Sequence, residues 1–344
     1  MKKAQVTITD IARELNISAS TVSRALHNHH AICEETKRAV MEVAQRWNYQ
    51  PNMQALNLLK RKTNIIGIVV PEITSHFFST AISGVQDIVT SHGYNLMISQ
   101  SNESFEDEIK TLNTLFLSRI DGFLISPASG TFQFDHINKL KNSGIPLVIF
   151  DRDCEGLEAD KVLVDDYDGA FQAVDYLVKT GCQRIAHIAG PANLSTSSHR
   201  LNGYLDALKK HNRDIDEELI IEVGGFSPEF GVEAATKLVN LPNPPDAIFG
   251  VNDGVAIGAM YVIKEAGFVI PDQISIIGFD DEPYSSYFMP SLTSVWQPVL
   301  EMGMLSARIL LKNMTTEAKM AKEVYRHEIL KPELVVRNSS KKLY

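Results

Sequence analysis

Cysteine is scarce in this chain. Three residues, Cys33, Cys154 and Cys182, are spread over 344 positions with no paired spacing, which argues against a disulfide framework and against a zinc-ligand pattern. Long apolar runs are missing as well. No stretch of twenty apolar residues occurs, and the N-terminus lacks the apolar segment of a signal peptide, so neither membrane insertion nor export is supported and a cytoplasmic protein is expected. Catalytic signatures are equally absent: there is no nucleophile elbow, Walker loop, dinucleotide glycine fingerprint or histidine-rich metal spacing. No cofactor or metal is therefore expected. An enzyme stays open only in that paired aspartates can act as acid and base or hold a metal.

What is present is ordinary in bulk and uneven in distribution. With 44% hydrophobic and 22% charged residues, the chain has the composition of a soluble globular protein of two or three domains. Its net charge of −9 hides a division: residues 1–62 hold ten Lys or Arg against five Asp or Glu, a local +5. The remainder carries −14. A basic N-terminal unit gains affinity for nucleic acid by displacing counterions from phosphates, while an acidic body stays soluble and away from DNA.

The basic unit has helical grammar. Thr7 and Asp10 have the spacing of a capping box, and Ile8, Ile11, Ala12 and Leu15 follow the rhythm of one buried helix face, with Asn16 placed to end it. Ser18 caps a second helix over about 19–27 that buries Val22 and Leu26. It presents Ala19, Ser20, Ser23 and Arg24, a small, polar and cationic face suited to a major groove. Helix, short turn and second helix make the helix-turn-helix geometry. Pro51 to about Lys60, with two Asn and a length near ten, reads as a helix too marginal to form without DNA. Lys60-Arg61-Lys62 marks an exposed junction. Trp47 and Trp296 read as packing residues.

These motifs carry a resemblance. Val6-Thr7-Ile8-Thr9-Asp10-Ile11-Ala12, Val22-Ser23-Arg24-Ala25-Leu26 and Tyr49-Gln50-Pro51-Asn52 with Ala55 and Leu58 are similar to the lactose-repressor and galactose-repressor family of bacterial transcription regulators, and the similarity runs to about residue 337. It implies base-reading positions at Ala19, Ser20 and Arg24. Thr7, Ser18, Thr21 and Ser23 also fall at the DNA, with Asn52, Ala55 and Leu58 in a hinge helix. Leu58 falls on the family's intercalating leucine, an apolar wedge that unstacks base steps and bends the duplex. Two positions depart from the pattern: His27 replaces the usual Asn, and Cys33 replaces the Ser that caps a third helix. The lost cap costs about 1 kcal/mol, offset by Glu34 and Glu35 at the positive end of the helix dipole. Cys33 itself reads as a small, semi-buried residue.

Downstream, short apolar runs alternate with amphipathic stretches. The expected strands are 65–71, 95–99, 122–126, 146–150, 162–164, 184–189, 219–223, 247–251 and 274–279. This is the alternation of doubly wound parallel sheets covered on both faces. The resemblance implies the two lobes of a periplasmic-binding-protein-like core. The expected organisation is a helix-turn-helix domain at 1–50, a hinge at 51–62, an effector-binding and dimerisation body at 63–337 and a disordered tail at 338–344. Lobe 1 takes about 63–163 and 293–324, and lobe 2 about 164–292 and 325–337.

Polar residues cluster at the carboxyl ends of these strands, where open parallel sheets bind ligands. The resemblance puts Asp151, Arg200, Asn252 and Asp280 in contact with an effector, and Phe77, Phe78 and Phe226 at its aromatic positions. Carboxylates and a guanidinium fork hold paired hydroxyls, and aromatic faces cover a flat surface. A sugar, sugar derivative or purine-like base fits. Asp165, Asp166, Asp253 and Asp281 read instead as caps or turn residues.

The expected protein is an effector-controlled, sequence-specific DNA-binding regulator, a homodimer or dimer of dimers on a near-palindromic double-stranded operator, and a repressor by family habit. The alternatives are an exported sugar-binding protein, disfavoured by the DNA-reading segment and the missing signal peptide, and an enzyme.

Overall fold

A computed structural model describes residues 6–50, 62–315 and 324–343, in two compact units that divide after Thr63. Residues 51–61, and with them Asn52, Ala55 and Leu58 of the expected hinge at 51–62, lie outside the described residues.

The first unit contains α1 (Ile8–Glu14), α2 (Ala19–Leu26) and α3 (Glu34–Arg46). Thr7 and Asp10 form the capping box: the Thr7 N–H donates to Asp10 Oδ2 at 3.0 Å and the Asp10 N–H to Thr7 Oγ1 at 3.4 Å. Ser18 Oγ accepts from the Thr21 N–H at 3.0 Å. All three helices stop in the same way. Asn16, Asn28 and Asn48 are left-handed, with φ of 51°, 51° and 47°. The next N–H in each case bonds back to a carbonyl of the last turn: Ile17 to Ala12, His29 to Arg24 and Tyr49 to Ala44. This is the Schellman arrangement with Asn in glycine's place. Ile11, Ala12, Val22, Ala25, Val40, Val43 and Ala44 make the core, flanked by Leu15, Leu26 and Trp47. Ala25 rather than Leu26 is the fully buried residue near the end of α2. Cys33 is exposed, not semi-buried; its Sγ meets Thr36 Oγ1 at 3.1 Å and leaves the α3 N-terminus without a side-chain cap.

The second unit contains two six-stranded sheets. Lobe 1 is ordered β11-β5-β4-β3-β1-β2, with β1 (Ile65–Val70), β2 (Asn95–Gln100), β3 (Gly122–Ile125), β4 (Leu147–Phe150), β5 (Asp160–Val164) and β11 (His327–Leu330), every pairing parallel. Lobe 2 is ordered β12-β10-β9-β8-β6-β7, with β6 (Ile185–Ala189), β7 (Ile220–Glu222), β8 (Ala247–Gly250), β9 (Ser275–Asp280), β10 (Thr293–Trp296) and β12 (Glu333–Val335). Only the β10–β12 pairing is antiparallel.

Lobe 1 carries α4 (His76–Ser91), α5 (Phe105–Leu117), α6 (Asp135–Asn142) and α11 (Val299–Asn313). Lobe 2 carries α7 (Asp166–Lys179), α8 (Ser195–Lys210), α9 (Pro228–Val239) and α10 (Asp253–Glu265). Each sheet has an apolar core on both faces, which is why its central strands read as unbroken apolar runs. α4 and α11 pack through glycines: a Cβ on Gly84 would lie 2.3 Å from Leu300 O, and one on Gly303 would lie 2.1 Å from Ala81 O. Backbones approach that closely only where no side chain intervenes.

Three expectations need correction. The second crossing between lobes is not near Leu292: β10 first pairs with β9 in lobe 2, and the chain crosses at Gln297–Pro298 before α11. The third is not near Val324, because β11 joins β5 in lobe 1 and the chain crosses after Leu330 to reach β12. Nor is the tail loose. Ser339 and Ser340 are buried; Ser339 Oγ donates to Ile276 O at 2.6 Å and accepts from the Thr293 N–H at 2.8 Å, while Ser340 Oγ meets Thr293 Oγ1 at 2.7 Å. Backbone groups at β9 and β10 need partners, and these hydroxyls supply them. Among the described residues no helix is long and apolar enough to cross a membrane.

Candidate functional site

On the first unit, α2 offers a ridge of hydroxyls and one cation. Ser18 Oγ lies 2.7 Å from Ser20 Oγ and 2.8 Å from Thr21 Oγ1, and Ser20 and Arg24 are exposed, with Ala19, Thr21 and Ser23 half-buried beside them. Thr7 is exposed at the start of α1, but its hydroxyl is donated to Asp10 Oδ2 at 2.7 Å. Small side chains around one guanidinium let a helix approach base edges closely, and the cation can engage either a guanine edge or a phosphate.

On the second unit, a cleft of about 540 Å³, open mouth included, lies at the carboxyl ends of the two sheets. Phe77, Phe78, Asp151, Arg200, Phe226, Asn252 and Asp280 all line it. The strands deliver the two carboxyls through unusual backbone: Asp151 follows β4 with φ 68° and Asp280 ends β9 with φ 106°. Non-glycine residues are rare at such angles, and those present concentrate where function tolerates the strain.

Arg200 is the hub of lobe 2. Its Nε and Nη2 both lie 2.7 Å from Asp166 Oδ1, Nη1 donates to Val251 O at 2.7 Å, and Nη1 is 3.8 Å from Asp280 Oδ1. Its Cζ sits 3.7 Å from the centre of the Phe279 ring. Asp280 also accepts from Gln297 Nε2 at 2.7 Å. Burial lifts the Asp280 pKa well above the carboxylate range, and Arg200 only partly opposes it. Burial likewise pushes Asp151 up to about 6 against Arg152 and the Ser126 hydroxyl, which donates to Oδ2 at 2.9 Å. Both carboxyls thus lack the water that an ionised acid needs.

The other candidates divide between contact and support. Asn252 caps α10, its Oδ1 accepting from the Val255 N–H at 2.9 Å. Phe77 and Phe78 meet edge to face in the first turn of α4, 5.2 Å apart. Asp165 caps α7 through the Asp168 N–H at 3.1 Å. Asp166 is a positioning residue, since it holds Arg200. Asp253 is buried and accepts from Ser285 Oγ and Ser294 Oγ, both at 2.5 Å, and from the Glu282 N–H at 2.8 Å. Asp281 binds Arg337 at 2.5 Å.

Sequence reasoning missed Arg152. It is buried in the cleft, with Nη1 and Nη2 on the two oxygens of Glu103 at 2.7 and 2.8 Å and Nη1 on Pro127 O at 2.9 Å. Its Cζ lies 6.0 Å from the Phe78 ring in lobe 1 and 5.9 Å from the Phe226 ring in lobe 2. Burial raises the Glu103 pKa, but the Arg152 bonds outweigh it and leave the acid below its usual range. The signal was available, because a second charged residue directly follows Asp151 at the strand end. Other cross-lobe contacts join the Asp153 N–H to Ser195 Oγ at 2.8 Å and the Asn193 amide to Ser129 O. Among the described residues no group of His, Cys, Asp or Glu is arranged to hold a metal ion.

Comparison with known proteins gives matches over nearly the whole chain. Residues 7–52 match the model for bacterial regulatory proteins of the lacI family, and residues 174–340 match a periplasmic binding protein-like domain. A relative in Bacillus subtilis named a probable HTH-type transcriptional repressor, ExuR, is 36% identical over 98% of this chain and 99% of its own length. A transcriptional regulator solved as a CelR–cellobiose complex has a TM-score of 0.73 at 26% identity, covering 97% of this chain and all of that one. The lac repressor dimer bound to operator and the anti-inducer ONPF has a TM-score of 0.86 at 24% identity, covering 98% of this chain and 100% of that chain, and shares the fold.

Proposed function

Because the chain belongs to the lacI family of bacterial regulatory proteins and is an effector-controlled, sequence-specific DNA-binding transcription regulator, we propose that its effector is a sugar or sugar derivative bound between Asp151 and Asp280. The observation that carries this reading is the pair of largely buried carboxyls facing one cleft from opposite lobes, with Arg200 beside Asp280. A polyol supplies hydroxyls that donate to a carboxylate or accept from a carboxylic acid, so it satisfies either protonation state. Arg200 adds a fixed donor, and Asn252 keeps its amide nitrogen for the ligand because its oxygen caps α10. A purine-like ligand is the weaker choice, because the Arg152 guanidinium already sits about 6 Å from both the Phe78 and Phe226 rings that a flat base would need to stack on.

The same proposal assigns residues 1–50 to operator reading, 51–62 to a DNA-dependent hinge and the body to effector binding and homodimerisation, with a dimer of dimers as the larger option. Ala19, Ser20 and Arg24 read bases; Thr7, Ser18, Thr21 and Ser23 position α2; Asn52, Ala55 and Leu58 act in the hinge. A two-fold dimer needs a near-palindromic operator with a deformable pyrimidine–purine centre. A regulator that binds such a site works in the cytoplasm and has no need of enzymatic chemistry, and repression is the reading its relative's name supports. The mechanism is linkage: a ligand that prefers one lobe arrangement changes operator affinity by the same factor that operator changes its own.

Calorimetry of the full chain against neutral sugars, sugar acids and purines, followed by operator titration with each binder, tests the reading. Saturable binding of a sugar that is lost in Asp280→Ala supports it. Purine-only binding, or normal sugar binding by Asp280→Ala, overturns it.

A further inference from the structure

A second cavity lies beside the cleft, and the effector proposal makes no use of it. Its empty space, open mouth included, is about 810 Å³. Its walls come from both lobes: His76 and Thr80 on α4, Leu300 and Met304 on α11, Glu282 just past β9 and Trp296 at the end of β10.

Two of these side chains are anomalous. Trp296 was expected to be a packing residue, yet it is 40% exposed while forming a wall of the cavity. Large aromatics left uncovered at a concave surface are the usual anchors for a partner's apolar group. Glu282 is 7% exposed, and its Oε2 has no hydrogen-bond partner. The nearest basic group is the imidazole of His76, its Nδ1 at 3.4 Å on a side chain that is 52% exposed. A buried carboxylate oxygen without a donor is costly, and a ligand donor would remove that cost. Its neighbour Asp281 is paired with Arg337 at 2.5 Å, so Glu282 is the acid here whose side-chain partner is only a half-exposed histidine, with Glu301 a further acidic residue at the wall.

We propose that this cavity is a second ligand site for a small aromatic ammonium compound, with its ring on Trp296 between Leu300 and Met304 and its ammonium on Glu282 Oε2. Sign and shape both favour that class. An anion would meet a wall with four acidic residues and no Lys or Arg, a polyol would waste the apolar wall, and a cation over an indole face gains a further attraction. The site is built to regulate. Phe77, Asp280 and Gln297 line both this cavity and the cleft, so occupation on one side fixes groups used on the other. The two ligands then alter each other's affinity by the same factor.

The sequence offers its own reporter, since Trp47 and Trp296 are the only tryptophans. In full-length Trp47→Phe protein, the fluorescence of Trp296 is titrated with phenethylamine, 2-phenylethanol and 3-phenylpropionate, which share a ring and differ in charge. The expected result is a saturable response in the order amine, alcohol, acid. Glu282→Gln should weaken the amine at least about tenfold, and Met304→Phe, which narrows the cavity without adding a second tryptophan and leaves the carboxylate in place, should weaken it as strongly. A flat response, equal responses to the three probes, or undiminished amine binding in either variant overturns the proposal. None of these readouts requires effector in the cleft, so this site and the sugar reading fail independently.

Discussion

Replacing Asp280 by glycine should make the effector-free protein more stable and the regulator deaf. Asp280 holds φ at 106°, a region glycine enters freely and other residues enter at a cost of about 1–3 kcal/mol. Glycine loses roughly 0.5–1 kcal/mol of that gain through its freer unfolded chain, and the lost Gln297 bond takes about 1 kcal/mol more. Removing the carboxyl returns something further. Burial raises its pKa well above the ordinary range, and each tenfold rise in proton affinity costs the native state about 1.4 kcal/mol at a pH where the unfolded acid is ionised. The strain and desolvation relieved outweigh the lost bond and the freer unfolded chain, so the variant should melt at a higher temperature. Effector binding should move the other way, falling about tenfold or more because the cleft loses an acceptor and leaves Arg200 with one carboxylate. Thermal melts without ligand, paired with calorimetry on the best sugar, measure both quantities. A variant that melts earlier and binds effector normally would refute the reasoning on both counts.

Three further outcomes are expected. Asp151 titrates near 6 in the folded protein against about 3.8 unfolded, so its contribution is full below the unfolded value and is lost as pH rises through about 6. The stability of the protein relative to Asp151→Asn should therefore improve as pH falls from about 6 to about 4, and a difference that is flat over that window contradicts the burial argument. Ser339→Ala leaves the Thr293 N–H and the Ile276 carbonyl without their hydroxyl partner, which should cost roughly 2 kcal/mol; an unchanged denaturant midpoint would mean that the tail contributes nothing. Arg24→Ala should relax discrimination at one operator position by about 1–3 kcal/mol, whereas Leu58→Ala should reduce bending and specific affinity together. Uniform loss across all DNA sequences for Arg24→Ala would reassign that residue to a phosphate.

Local rules made much of this molecule readable. The Thr7–Asp10 box, the Ser18 cap and the left-handed Asn16 each involve residues a few positions apart, and the structure places all three as the spacing demands. Central strands were equally plain, because burial on both faces leaves them uniformly apolar. The failures share a cause. β10, β11 and β12 are three or four residues long and are defined by the neighbour they pair with, not by their own pattern. Ser339 is a polar residue near a terminus until β9 and β10 come to lie beside it. Glu103 finds Arg152 across 49 residues of chain. Trp296 had no local sign that its indole would remain partly uncovered.

The energetics of the cleft suit a switch. Moving a two-state protein from one part in a hundred to ninety-nine takes about 5.5 kcal/mol of differential ligand affinity. A hydroxyl network on one lobe alone binds both arrangements equally and contributes nothing to that difference. Contacts that exist only when the lobes meet contribute fully. Asp151 stands on lobe 1, while Arg200 and Asp280 stand on lobe 2, so a single ligand reaches all three only in the closed arrangement. At about 1–3 kcal/mol for each bond made with closure, and more where a charge is involved, two or three such bonds supply the required difference. The unfavourable terms of the empty site point the same way. Two desolvated carboxyls and two aspartates at positive φ are unfavourable terms of the empty cleft, and on the proposed reading a polyol that satisfies those carboxyls would relieve them only where the lobes meet. On the proposed reading, strain and burial in the cleft are thus the means by which a small ligand would acquire leverage over the arrangement of the lobes.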